Sequence, residues 1–214
     1  MTTKASQTSQ VSNGQSAVAA ARTAQVRRTT RETDITLDLN LDGAGRADIS
    51  TGVGFYDHLL TSLVTHSRLD VSLVCKGDLH VDDHHTVEDA AIALGTAISQ
   101  ALGERKAITR FGSAYAPMDE SLARAAIDLV TRPFSIVNLA LTREKLGTLS
   151  CENIPHVLAS LATAGRFTMH VDVLRGDNDH HKAEAAFKAV ALALRKAVLR
   201  DVSGDGVAST KGVM

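Results

Sequence analysis

The chain repeats itself, and that repeat limits its possible folds more than any other feature. Residues 55–98 and 153–194 align at shifts of 96–99 positions. His58 matches His156, and a helical apolar pattern follows each: Leu59, Leu60 and Leu63 against Val157, Leu158 and Leu161. Next come alternating segments, Leu69, Val71, Leu73 and Cys75 against Phe167, Met169, Val171 and Val173. Such alternation reads as a strand with one buried face. Gly-Asp turns follow at Gly77-Asp78 and Gly176-Asp177, and then His-His-x-x-Glu at 84–88 and 180–184. Each motif opens a helix in one phase: Ala91, Leu94, Ile98 and Ala101 against Phe187, Val190, Leu194 and Ala197. This is an internal duplication. It predicts an α+β fold of two similar βα halves, about 25–115 and 116–214, related by pseudo-twofold symmetry. The drift in the shift predicts short gaps in loops between the elements.

Upstream, Ile35, Leu37, Leu39 and Leu41 alternate with polar residues, Asp42-Gly43-Ala44-Gly45 signals a turn, and Arg46–Ser50 follows. The pattern predicts an antiparallel hairpin of these two segments and mostly antiparallel sheets. Residues 1–24 are rich in Thr, Ser, Gln and Ala, and the first acidic residue is Glu32. They read as a disordered tail whose composition also resembles an organelle transit peptide; otherwise the chain is expected in the cytoplasm.

Composition removes several classes of function. Lys and Arg total 23 against 24 acidic residues, so no net charge draws the chain to nucleic acid or a membrane surface. No apolar run nears the ~20 residues of a membrane span. The two cysteines, Cys75 and Cys151, lie too far apart in sequence for a zinc-type spacing. Trp is absent and aromatics are 3%, which leaves no stacking platform for single strands.

The nine histidines hold the chemistry. At a helix start, positions three or four apart share a face, so Glu88 can sit beside His84 or His85, and Glu184 beside His180 or His181. Adjacent helical residues diverge by ~100°, so the two histidines of a pair suit two different ions. With His58 and His156 there are six imidazoles and two carboxylates, three His and one Glu per metal. Ligand type alone does not select the metal. Asp57, Asp83 and Asp179 each precede a ligand candidate and either orient an imidazole or cap a helix. His66, His80 and His170 lack the doubled pattern. Arg110, Arg132, Lys188 and Lys211 stand apart as anion-binding candidates. The C-terminal GDGVASTKGVM suits a segment that closes on an anion. These residues leave open a two-metal lyase, a two-metal hydrolase and metals that merely staple an oligomer.

The stretches RTTRETDI, TGVGFYDHLL, DDHHTVEDAAIALG, RFGSAYAPMDESL, CENIPH, DHHKAEAAFKA and STKGVM resemble the imidazoleglycerol-phosphate dehydratase family from about residue 26 onward. The resemblance implies a ribosomal S5 domain 2-like fold and a hydro-lyase of L-histidine biosynthesis. That enzyme turns D-erythro-imidazole glycerol phosphate into imidazole acetol phosphate at a dimetal site that stabilises an imidazolate. It implies two Mn2+ per active site, held by His58, His84, His85, Glu88, His156, His180, His181 and Glu184. Glu32 matches the catalytic acidic residue, and Arg110, Arg132, Lys188, Ser209 and Lys211 match the phosphate-binding positions. A 24-subunit homo-oligomer with active sites between subunits is implied as well, with neither nucleic acid nor membrane as partner.

Overall fold

A computed structural model describes residues 21–201 and 206–212. The first half runs β1 (Thr23–Thr29), β2 (Thr33–Asn40), β3 (Ala47–Ser50), α1 (Gly54–Ser67), β4 (Asp70–Gly77) and α2 (His84–Leu102). The second runs β5 (Phe111–Met118), β6 (Ser121–Asp128), β7 (Phe134–Asn138), the short β8 (Lys145–Leu146) and β9 (Leu149–Ser150), α3 (Asn153–Gly165), β10 (Thr168–Arg175) and α4 (Asp179–Ala197). The first sheet has the order β1-β2-β4-β3 and the second β5-β6-β10-β7. In each, the last pair is parallel and the others antiparallel. The halves therefore match element for element, and only the β8–β9 hairpin is extra. The expected duplicated α+β plan is what the chain adopts.

Period-two alternation makes the strands: β2 buries Thr33, Ile35, Leu37 and Leu39 and turns the residues between them outward. Helices α1 and α2 cover the first sheet, α3 and α4 the second, and the halves meet as α2 on α3 and α1 on α4. Alanines pave the inner faces of α2 and α4, from Ala90 to Ala101 and from Ala183 to Ala197, so backbones approach closely within one shared core. This helix-to-helix seam lets residues of one half reach those of the other.

Several expectations need correction. β1 begins at Thr23, so Thr23 and Ala24 belong to the sheet rather than the tail, while residues 1–20 lie outside the described residues. The second half opens at Phe111, so a boundary at 115–116 cuts through β5. β2 does not form a hairpin with Arg46–Ser50: it pairs with β1 and β4, and β3 lies parallel to β4. Alternation reveals a strand but not its partner. The turn before β3 instead wraps Asp70, whose carboxylate accepts the backbone N–H groups of Ala44, Gly45 and Arg46 at 2.8, 3.1 and 2.9 Å. A Cβ on Gly43 would lie 2.4 Å from the Asp70 nitrogen. Nor is all of the drift in loops. The step from 98 to 99 is a register shift in β10 between Val173 and Arg175, one extra residue that bulges the strand.

Candidate metal centre

Both His-His-x-x-Glu helices start in the same way. Asp82 accepts the His84 N–H at 2.9 Å, and Asn178 accepts the His180 N–H at 2.9 Å. These caps satisfy first-turn donors and fix the helix start relative to the sheet. The first His and the Glu then fall one turn apart on one face.

The clusters form across the halves. His58 of α1 joins His180 and Glu184 of α4, and His156 of α3 joins His84 and Glu88 of α2. Within each group the donor atoms lie within 4.8 Å of one another. Glu88 lies 2.9 Å from His156 Nε2 and 3.4 Å from His84 Nε2. Glu184 lies 3.4 Å from His180 Nε2 and bonds His58 Nε2. Burial raises the Glu184 pKa, but the Lys188 and His58 bonds outweigh it and hold it at about 2. Two imidazole nitrogens and a carboxylate oxygen within ligand reach suit a divalent ion of the first transition row.

The expected set of three His and one Glu is therefore not completed within one chain. His85 and His181 join neither cluster, and their rings stand at 88° and 87° to those of His84 and His180. Each is held by a carboxylate. Asp78 bonds His85 Nδ1 at 3.0 Å and Glu120 bonds His181 Nδ1 at 2.7 Å, and each raises its imidazole's pKa. Glu120 also accepts the backbone N–H groups of Asn178 and Asp177. These and His181 hold its carboxyl well below the usual range. Glu32, half exposed, sits 3.9 Å from His85 Nε2.

Sequence reasoning missed the groups that orient the imidazoles. Asp57, Asp83 and Asp179 bond none: Asp57 accepts from Thr51, Asp83 from Ser150, and Asp179 from Thr142, Arg143 and Lys182. The orienting groups are Asp78, Glu120 and Asn153, whose Oδ1 lies 3.0 Å from His84 Nδ1. The Gly-Asp turns pointed to Asp78. Glu120 gave no signal without knowledge of the hairpins.

Four of the five phosphate-binding candidates gather elsewhere. Arg110, Arg132, Ser209 and Lys211 line one cleft of about 750 Å³, with Phe111, Val130, Thr131, Ala208 and Thr210. Arg110 is braced by Asp128 at 2.7 and 3.0 Å and donates to the Ala208 carbonyl. Lys188, the fifth, bonds Glu184 at 2.8 Å beside the His58 cluster. Of the C-terminal segment read as closing on an anion, residues 206–212 line or adjoin this cleft, and 204–205 and 213–214 lie outside the described residues.

A duplicated α+β chain with two symmetry-related His2Glu clusters has the ligand plan of a dimetal protein. The imidazoleglycerol-phosphate dehydratase family model matches residues 51–194. A curated dehydratase of that name from Phytophthora nicotianae is 54% identical over 94% of this chain, which spans 44% of that protein's length. Another, from Cereibacter sphaeroides, is 51% identical over 90% of this chain and 100% of its own. The crystal structure of the dehydratase from Staphylococcus aureus superposes with a TM-score of 0.75 at 35% identity, covering 83% of this chain and 99% of that one. The chain belongs to the imidazoleglycerol-phosphate dehydratase family. It is an enzyme, a hydro-lyase carrying the dehydratase reaction of histidine biosynthesis. No helix among the described residues is long and apolar enough to cross a membrane.

Proposed function

We propose that this chain removes water from D-erythro-imidazole glycerol phosphate to give imidazole acetol phosphate, with Mn2+ at both clusters. One observation carries the reading: two His2Glu groups at equivalent places, each short of one imidazole, and two further imidazoles held apart from them by carboxylates. In this reading a second copy of the chain supplies the missing His85 or His181, so the site is complete only in a homo-oligomer. The 24-subunit form implied by the resemblance is one such assembly.

Mn2+ held by His58, His180 and Glu184 and by His84, Glu88 and His156 would supply Lewis acidity to the imidazole ring of the substrate. The chain's own residues do the rest. In the net reaction the hydroxyl leaves from the carbon bonded to the ring, and a proton leaves the next carbon. The resulting enol becomes the ketone when a proton returns to the ring-bearing carbon. The half-exposed carboxylate of Glu32 near His85 supports Glu32 as the group that carries that proton. Arg110, Arg132, Ser209 and Lys211 bind the phosphate, and Lys188 meets it from the metal side. The clamp fixes the reacting carbons relative to Glu32, which contributes orientation. The test is turnover of imidazole glycerol phosphate before and after chelation and Mn2+ return. Loss and recovery support the reading, and full turnover in metal-free protein overturns it.

A further inference from the structure

The two clusters share a ligand set but not a surrounding. From that difference we infer that they hold metal unequally: His84–Glu88–His156 is the tight site, His58–His180–Glu184 the loose one, and Lys188 sets much of the gap. The inference rests on the metal reading above and deepens it.

The first difference is charge. Glu184 Oε2 accepts the Lys188 ammonium at 2.8 Å, and the same nitrogen lies 3.2 Å from Met118 Sδ. A divalent ion arriving at Glu184 meets a positive charge already seated on its carboxylate. The residue one turn beyond Glu88 is Ile92, and the extra partner of Glu88 is the neutral Ser160 hydroxyl at 3.2 Å. Among the described residues no Lys or Arg pairs with Glu88. In a partly buried site one such repulsion changes affinity by about tenfold or more.

The second difference is orientation. The buried Asn153 accepts from His84 Nδ1 at 3.0 Å and also bonds Asp83, which Ser150 pins at 2.7 and 2.8 Å. That chain fixes the ring and leaves Nε2 for the ion. The position matching Asn153 is Phe55, whose ring packs 4.8 Å from that of His180 and offers no acceptor. Among the described residues His180 Nδ1 has no hydrogen-bond partner. Both differences favour the same cluster.

The experiment is a Mn2+ titration of the chelator-stripped, full-length protein, with free Mn2+ followed by electron paramagnetic resonance. Two classes of equal number are expected, at least about tenfold apart. His84→Ala should remove the tight class and His58→Ala the loose one. Lys188→Met should tighten the loose class about tenfold and leave the other unmoved, whereas Ile92→Lys should weaken the tight class. The reciprocal variant keeps the test alive if either fails to fold. A single class, or two classes that neither variant moves, overturns the inference alone. Absence of any bound Mn2+ overturns the metal reading as well.

Discussion

Glu32 and Glu120 stand at the same place in the two halves. Each ends the connection between the first two strands of its sheet, one residue before Thr33 and Ser121, which open β2 and β6. Glu120 is fully engaged, with two backbone N–H groups on one oxygen and His181 on the other. In the first half Asp78 holds the corresponding imidazole, and Glu32 stays half exposed, 3.9 Å from its other nitrogen. Loop length accounts for the difference. Between the Gly-Asp turn and the His pair the first half has residues 79–83 and the second only 178–179. The longer loop lets Asp78 fold back onto His85. The shorter one presents its backbone donors to Glu120. A duplicated carboxylate thus serves as a holder in one copy and is left half exposed beside the imidazole in the other.

Two substitutions test that asymmetry. Glu32→Gln should lower kcat about 10³-fold while Mn2+ binding persists, and Glu120→Gln should leave kcat within about tenfold at saturating metal. Equal losses of kcat in stopped-time assays would erase the distinction between the two glutamates. Next in size is Gly112→Ala. The added Cβ would sit 1.9 Å from the Ala193 carbonyl oxygen, where α4 lies against β5. The urea midpoint should report a loss of about 3 kcal/mol. The matched residue in the first sheet is Ala24, and Ala24→Gly should lose only about 1 kcal/mol. The reverse ranking would show that the two helices sit on their sheets alike.

Smaller again is the loss of an imidazole holder. Asp78→Asn and Glu120→Gln should each weaken Mn2+ about tenfold, measured as free ion at half saturation. An effect of one variant only would show that a single carboxylate-held imidazole matters for metal. The smallest effect lies in the turn before β3, which β5–β6–β7 does not copy. The Arg46 bond and the backbone N–H groups of Arg46 and Ala44 hold the Asp70 pKa at about 2, below its ordinary value of 3.8. Its contribution is therefore present above about pH 4 and lost as pH falls toward 2. Asp70→Asn should lower stability by about 1 kcal/mol at pH 7, because solvent screens the pair, and should match the parent near pH 2. A gap that persists in urea melts at pH 2 would assign the effect to packing.

Much of this was legible before any coordinates. The duplication was carried by matched apolar phases, and helical spacing put Glu88 beside His84 or His85 and Glu184 beside His180 or His181; the structure selected His84 and His180. Strand partners were not legible, because alternation fixes a strand's buried face and says nothing of its neighbour. For that reason the hairpin of β2 with β3 was misread and the place of Glu120 was hidden. The roles of Asp83 and Asp179 stayed open for a related reason: adjacency to a histidine in sequence points the side chain elsewhere on the helix, here to Ser150 and to Thr142 and Arg143.

The amino-acid order alone determined that there are two halves, two helices opening on paired histidines, and a carboxylate one turn along each. These follow from local periodicity, which any chain with this pattern shares. Only the tertiary structure decided that His58 crosses to Glu184 and His156 to Glu88, and that His85 and His181 stay out of both clusters on Asp78 and Glu120. That decision comes from the seam of α1 on α4 and α2 on α3, where alanine-lined helices pack across the twofold, a contact between residues far apart along the chain.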